Sequence, residues 1–168
     1  MANYPKLSHL LILCTAIFAV CVTSGCKTAV VPPDESLIKS FRDNRLSYTE
    51  LAKRIMAESN EKFEVDRSGG VKYVAARVPE LSEATRRACQ QIMSRTFCLA
   101  VRRDATVVYF VFFEDLTKEH FRRKALIYDK DGFKAPVWSS KVGDNFNQRF
   151  VPIEPQWQLE YKYEELKH

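Results

Sequence analysis

Residues 106–114, Thr-Val-Val-Tyr-Phe-Val-Phe-Phe-Glu, are almost wholly β-branched or aromatic. The run is short for a helix and lacks the polar alternation of a strand with one wet face. It reads as a central strand covered on both faces, which commits the chain to a sheet. Just before it, Phe97, Leu99 and Val101 alternate with Cys98, Ala100 and Arg102, and Arg103-Asp104-Ala105 turns the chain. The two segments form an antiparallel hairpin. A further strand is expected over 71–78, ended by Pro79, and another over 123–129, followed by a turn at Asp129-Lys130-Asp131-Gly132. Residues 130–149 show little periodicity and read as a long loop. At the end, Trp157, Leu159, Tyr161 and Tyr163 alternate with Gln158, Glu160, Lys162 and Glu164, the period of two of a strand with one aromatic face on the core and one charged face in water.

Two stretches have helical spacing instead. Over 35–59, Leu37, Ile38, Phe41, Tyr48, Leu51, Ala52, Ile55 and Met56 recur at intervals of three, four and seven on one face. Asp34 is placed to cap that helix. Ser82 before Glu83 opens a second helix running to about Arg95, with Ala84, Ala88, Cys89, Ile92 and Met93 as its buried stripe. The expected fold is α+β: two amphipathic helices packed on a mainly antiparallel sheet of about four to five strands, in a single domain over 35–168.

Ahead of the domain, Lys6 precedes an apolar run over 10–22 and then Thr23-Ser24-Gly25-Cys26. The run is shorter than the roughly 20 residues that span a bilayer. It has the length of a secretory signal core, with small residues before a cysteine. Three readings stand: a signal over 1–25 removed ahead of a lipidated Cys26, ordinary secretory cleavage near Ser24, or an uncleaved anchor. Lipidation is favoured, although Thr23 stands where a large aliphatic residue is usual. Residues 26–34 then form a tether stiffened by Pro32 and Pro33. Lys27, where an aspartate would retain a lipoprotein at the inner membrane, points to the outer membrane of an organism that has one.

The formal net charge is +5, and removing 1–25, which hold one lysine and no acid, leaves +4 on 143 residues. That suffices for one domain and falls short of the basic field of a nucleic-acid binder, so no nucleic-acid partner is expected. Cys89 and Cys98 are a candidate disulfide; two buried free thiols are the favoured alternative. Arg86, Arg87, Arg102, Arg103, Arg122, Arg123 and Lys124 are candidates for contact with an anionic surface such as lipid phosphate; scattered solvated charge is the more common meaning of such a set.

Chemistry is sparse. His120, beside Glu119, is the sole histidine of 35–164, and no nucleophile–base arrangement or metal-ligand spacing is legible. No catalytic residue, metal or cofactor is expected.

Four features together resemble a group of small, uncharacterised bacterial lipoproteins. They are the helix pattern Phe41, Arg45, Tyr48 and Leu51, the helix-to-hairpin segment 96–114, the strand ending at Tyr128, and the Trp157-x-Leu159-x-Tyr161 strand. The chain departs in having Arg123-Lys124-Ala125-Leu126 where such proteins often have Lys-Gly-Tyr. The resemblance implies a fold and no activity. The functional expectation is a non-enzymatic protein of the bacterial cell envelope, held to the membrane through acylated Cys26 and meeting an envelope protein partner. The alternative is a secreted or periplasmic ligand-binding or inhibitory module using Phe133, Trp138 and Phe146.

Overall fold

The computed structural model describes residues 30–58, 62–73, 81–104, 106–133, 141–143 and 146–166. Two helices come first, α1 (Asp34–Asp43) and α2 (Arg45–Glu58), then strands β1 (Phe63–Asp66) and β2 (Val71–Tyr73) and helix α3 (Glu83–Arg95). Six strands follow: β3 (Ala100–Asp104), β4 (Val107–Leu116), β5 (His120–Asp129), β6 (Lys141–Gly143), β7 (Phe146–Glu154) and β8 (Trp157–Glu165). All pair antiparallel in one eight-stranded sheet, in the order β2-β1-β3-β4-β5-β8-β7-β6.

This corrects the expected architecture, because eight strands stand where four or five were read and three helices where two were read. The extra helix arises at Asn44. Its backbone leaves helical geometry at φ −121°, and its side-chain amide donates to Ser40 O at 3.0 Å, closing α1 one residue before α2 begins. Of the extra strands, β1 alternates buried Phe63 and Val65 with Glu64 and Asp66, a period of two over only four residues and so too short to stand out. Much of the expected loop is β6 and β7. Pro152 hides β7 because it cannot donate to the ladder, and the structure absorbs it at a bulge between Pro152 and Glu154, close to the sheet edge. The expected residues 74–78 of the early strand lie outside the described residues.

The remaining elements follow their local chemistry. Ser82 caps α3, its hydroxyl accepting from Thr85 N at 3.2 Å. The turn after β5 is set by Gly132 at φ +76° and by Asp129, whose Oδ1 accepts from Asp131 N at 3.0 Å. The β3–β4 hairpin lies where expected, but its approach is out of phase. Cys98 is buried, while Phe97 is 79% exposed and Leu99 is also exposed. Thr96 causes this: it closes α3 onto Ile92 O and accepts the Cys98 amide, so strand pairing starts only at Ala100. Within α3, Thr85 takes the buried position expected of Ala84.

One face of the sheet meets the helices around an aromatic cluster. Trp157 lies 4.8 Å from Phe41, 5.1 Å from Tyr128 and 5.8 Å from Phe110, ring centre to ring centre. Tyr48 stands edge-on to Phe110 at 4.9 Å. The other face holds a small apolar cluster of Ala100, Val111 and Ala125, covered by the sheet's own long side chains. There Arg123 lies 4.6 Å from the Tyr109 ring centre and bonds Glu160, which is 1% exposed. Both faces of β4 are thus covered, one by helices and one by ion pairs.

Trp157→Ala should destabilise the domain by about 3–5 kcal/mol in chemical denaturation, since the ring is fully buried and touches both layers. A loss below about 1 kcal/mol would show that the cluster does not hold the layers together.

Candidate functional site

The first candidate lies where the chain joins the domain. Lys124, in the middle of β5, projects towards the start of α1, where its ammonium meets Asp34 Oδ1 at 2.5 Å and Pro32 O at 2.5 Å. Arg149 on β7 reaches the other carboxylate oxygen of Asp34 at 2.8 Å. Lys124 and Arg149 both lie opposite Tyr161 of β8, which is why strands two apart in the sheet converge on one acid. Asp34 does not cap α1 as expected: Pro33 holds the N-cap position without a side-chain bond. Two cations at close range outbid the helix amides for the carboxylate. The Lys124 side chain is only 6% exposed, so the clasp supplies the partners that water would otherwise give its ammonium.

The second candidate is a groove between α2 and α3. These helices run antiparallel, and their ends are tied. At one end Glu58 accepts from Ser82 N at 3.1 Å and from the Thr85 hydroxyl at 2.5 Å. At the other end the Tyr48 phenol is buried beside Thr96 and Ser40 without a well-formed hydrogen bond, and burial pushes its pKa up to about 12. Ser47, Glu50, Leu51 and Arg54 line the groove from α2. Ala88, Gln91, Ile92 and Arg95 line it from α3, with the same helical spacing. The enclosed volume is about 180 Å3.

The basic residues singled out in the sequence do not form one surface. Arg102 sits between Glu64 and Glu114, and Arg123 bonds Glu160, all on the sheet face away from the helices. Arg122 pairs with Asp115, and Arg87 with Glu83 on α3. Arg103 is buried and donates to Ile55 O at 2.9 Å, satisfying a carbonyl in the last turn of α2. Arg86 is half-buried with its Nε unbonded. Cys89 and Cys98 are both buried free thiols, and burial pushes each up to about 12, away from the reactive thiolate. Cys26 and Trp138 lie outside the described residues, as does the side chain of Phe146.

Sequence reasoning missed a cluster at the β4–β5 turn. His120 Nδ1 lies 3.2 Å from Thr117 Oγ1, and Nε2 lies 3.4 Å from Asp115 Oδ2. The order resembles a nucleophile–base–acid triad. Its parts are otherwise engaged, because Thr117 Oγ1 accepts the amides of Glu119 and His120, and Arg122 claims the Asp115 carboxylate. These bonds hold the turn. Asp115 and Thr117 could have been noticed from their spacing to His120, but only the hairpin register brings them together.

Phe133 lines an apolar cavity of about 490 Å3 with Pro152, Ile153, Glu154, Pro155 and Gln158, at the β7–β8 turn. Among the described residues no group of three or more His, Cys, Asp or Glu side chains is placed to hold a metal, and no helix is long and apolar enough to cross a membrane. Compared with known protein families, curated proteins and solved structures, the chain matches none.

Asp34→Asn should cost about 3 kcal/mol in unfolding free energy, because it leaves the buried Lys124 without its counter-charge. It should also make the bonds around Pro32 and Pro33 cleavable by protease; an unchanged digestion pattern and stability would show that the clasp bears no load. Glu58 gives a pH prediction. Burial tends to raise its pKa, but the bonds from Thr85 and Ser82 outweigh that and hold the carboxyl below its ordinary value. Its contribution is therefore complete above the unfolded value of about 4.3 and is lost as pH falls through the lower folded value. Denaturation midpoints measured from about pH 6 down to about pH 3 should fall less for Glu58→Gln than for the unaltered chain. Parallel curves would contradict this role.

Proposed function

We propose that this chain is a lipoprotein of the bacterial cell envelope, anchored by acylated Cys26 and acting through contact with a protein partner rather than by catalysis. The observation that carries the reading is the short apolar run over 10–22 followed by Ser24-Gly25-Cys26. Acyl chains on that cysteine would be buried at about 0.8 kcal/mol per methylene, and more than one chain makes attachment durable. Lys27 in place of an aspartate favours the outer membrane where one exists. The likeness of the helix, hairpin and Trp157-x-Leu159-x-Tyr161 pattern to small bacterial lipoproteins supports the same assignment.

The clasp suits such a role. It takes hold of the chain eight residues after Cys26 and ties it to two strands of the sheet, so that a pull on the anchor loads the domain. Carboxyl groups whose acidity departs from the ordinary depart downwards. Hydrogen bonds from Thr85, Ser68 and Arg122 hold Glu58, Asp66 and Asp115 ionised, away from the protonated form of a general acid. A second reading, a secreted ligand-binding module, draws support from the apolar cavity beside Phe133.

Metabolic labelling with a radioactive fatty acid separates the two. The unaltered chain should carry label and sediment with membranes, and Cys26→Ser should lose both properties. Label retained by Cys26→Ser, or an unlabelled wild-type chain in the soluble fraction, would sink the lipoprotein assignment.

A further inference from the structure

We propose that the groove between α2 and α3 receives an amphipathic helix of a partner protein, one carrying acidic residues about seven positions apart beside an apolar stripe. The proposal rests on the protein-contact reading above and names the chemistry of the partner.

The charge of the two helices is the first argument. Together α2 and α3 hold six basic residues and three acidic ones. Two of the three acids are spent within the fold, Glu58 on Ser82 and Thr85, and Glu83 on Arg87. Arg45 is taken by Glu154, and Arg87 by Glu83. Among the described residues, Lys53, Arg54, Arg86 and Arg95 form no ion pair, which sets this layer apart from the sheet, where Arg102, Arg122 and Arg123 are all matched. Arg54 is close enough to Glu58 to favour its ionised form, yet that carboxylate is already engaged. Two of these four, Arg54 and Arg95, line the groove against the single acid Glu50, so the groove favours an acidic occupant at its ends.

Shape is the second argument. Because the helices are antiparallel, Arg54 and Arg95 stand at opposite ends of the groove, with Leu51 and Ile92 between them on its floor. Ala88 to Arg95 is seven residues of helix, a rise of about 10.5 Å. A docking helix with acids seven positions apart spans the same rise and presents one carboxylate to each arginine. The groove, about 180 Å3 and open to solvent along one side, has room between the two arginines for one side chain resting on Leu51 and Ile92. Glu50, midway along α2, repels an acid at the centre and so helps to set the register.

Exposed apolar surface is the third argument. Leu46 is 71% exposed and stands one turn before Glu50 on the same stripe of α2. Phe97, 79% exposed, follows the C-terminal end of α3. That end lies beside the start of α2, as the nearness of Thr96 to Tyr48 shows. Both residues therefore place exposed apolar surface near the Arg95 end, at the scale of a helix-in-groove contact.

The test uses the full chain expressed in its own envelope, with a photo-crosslinking amino acid placed at Ser47 or Gln91 in the groove, or at Asn147 or Lys130 away from it. The crosslinked segment is identified by mass spectrometry. Groove positions should capture an acidic helical segment. Arg54→Glu with Arg95→Glu should reduce the product at least tenfold, and Arg54→Lys with Arg95→Lys should restore most of it. Thermal melts establish that each variant is folded; should the glutamate pair not fold, Arg54→Gln with Arg95→Gln replaces it, with the same loss expected. Crosslinks from the groove to lipid alone, or to a protein segment indifferent to the charge change, would overturn the proposal. Protein crosslinks confined to Asn147 or Lys130 would overturn the groove and leave the protein-contact reading intact. No protein crosslink from any position would overturn both.

Discussion

The structure depends on the ring of Trp157. Around it gather Phe41 of α1, Tyr48 of α2, Phe110 of β4 and Tyr128 of β5, so one side chain near the C-terminus is touched by two helices and two other strands. Each aromatic pair adds about 0.5–1.5 kcal/mol beyond the area it buries. Phe41 and Tyr48 flank the break at Asn44 and both meet the tryptophan, while the Asn44 side-chain amide joins its backbone N–H on Ser40 O. With the inner faces of α1 and α2 committed to this ring, their outer faces are left to solvent or a partner.

Charge is distributed in a way that complements this packing. The sheet neutralises itself: Glu64, Arg102 and Glu114 form a chain of ion pairs, and Arg123 pairs with Glu160, which also accepts a hydrogen bond from Gln148. Asp34, Lys124 and Arg149 do the same where the chain joins the domain. Among the described residues, Lys53, Arg54, Arg86 and Arg95 of α2 and α3 form no ion pair. Internal pairing on the sheet keeps long side chains ordered over the open face.

How much of this was legible depended on whether a residue's meaning is local. The Ser82 start of α3, the β3–β4 hairpin and the final strand carry their patterns within a few residues, but two details differ: Arg103 and Asp104, read as the hairpin turn, pair in β3, and Gln158 and Glu160, read as facing water, are buried. Asn44 was unreadable because Phe41 and Tyr48, seven apart, keep one helical face across the polar Asn44-Arg45. The strand β7 was hidden by Pro152, whose missing donor matters less near an edge and at a bulge. The clasp and the groove were unreadable for a different reason. Lys124 meets Asp34 across ninety residues, and the antiparallel setting of Arg54 and Arg95 exists only once Glu58 reaches Ser82. The basic residues listed by composition were the wrong ones for a surface, since those on strands were matched by neighbours that only the sheet register supplies.

Joined to the proposed acyl anchor, the clasp onto two strands and the outward helix pair fit the proposal of a domain held near a membrane with one face left for a partner. Everything in that account presupposes that the mature chain begins at Cys26. The intact mass of the protein extracted from membranes tests this most directly. The account predicts a chain starting at Cys26 and heavier than its amino-acid sequence by a glyceride with two acyl chains, with or without a third on the amine. A chain starting at another residue, or one starting at Cys26 with no added mass, would contradict it.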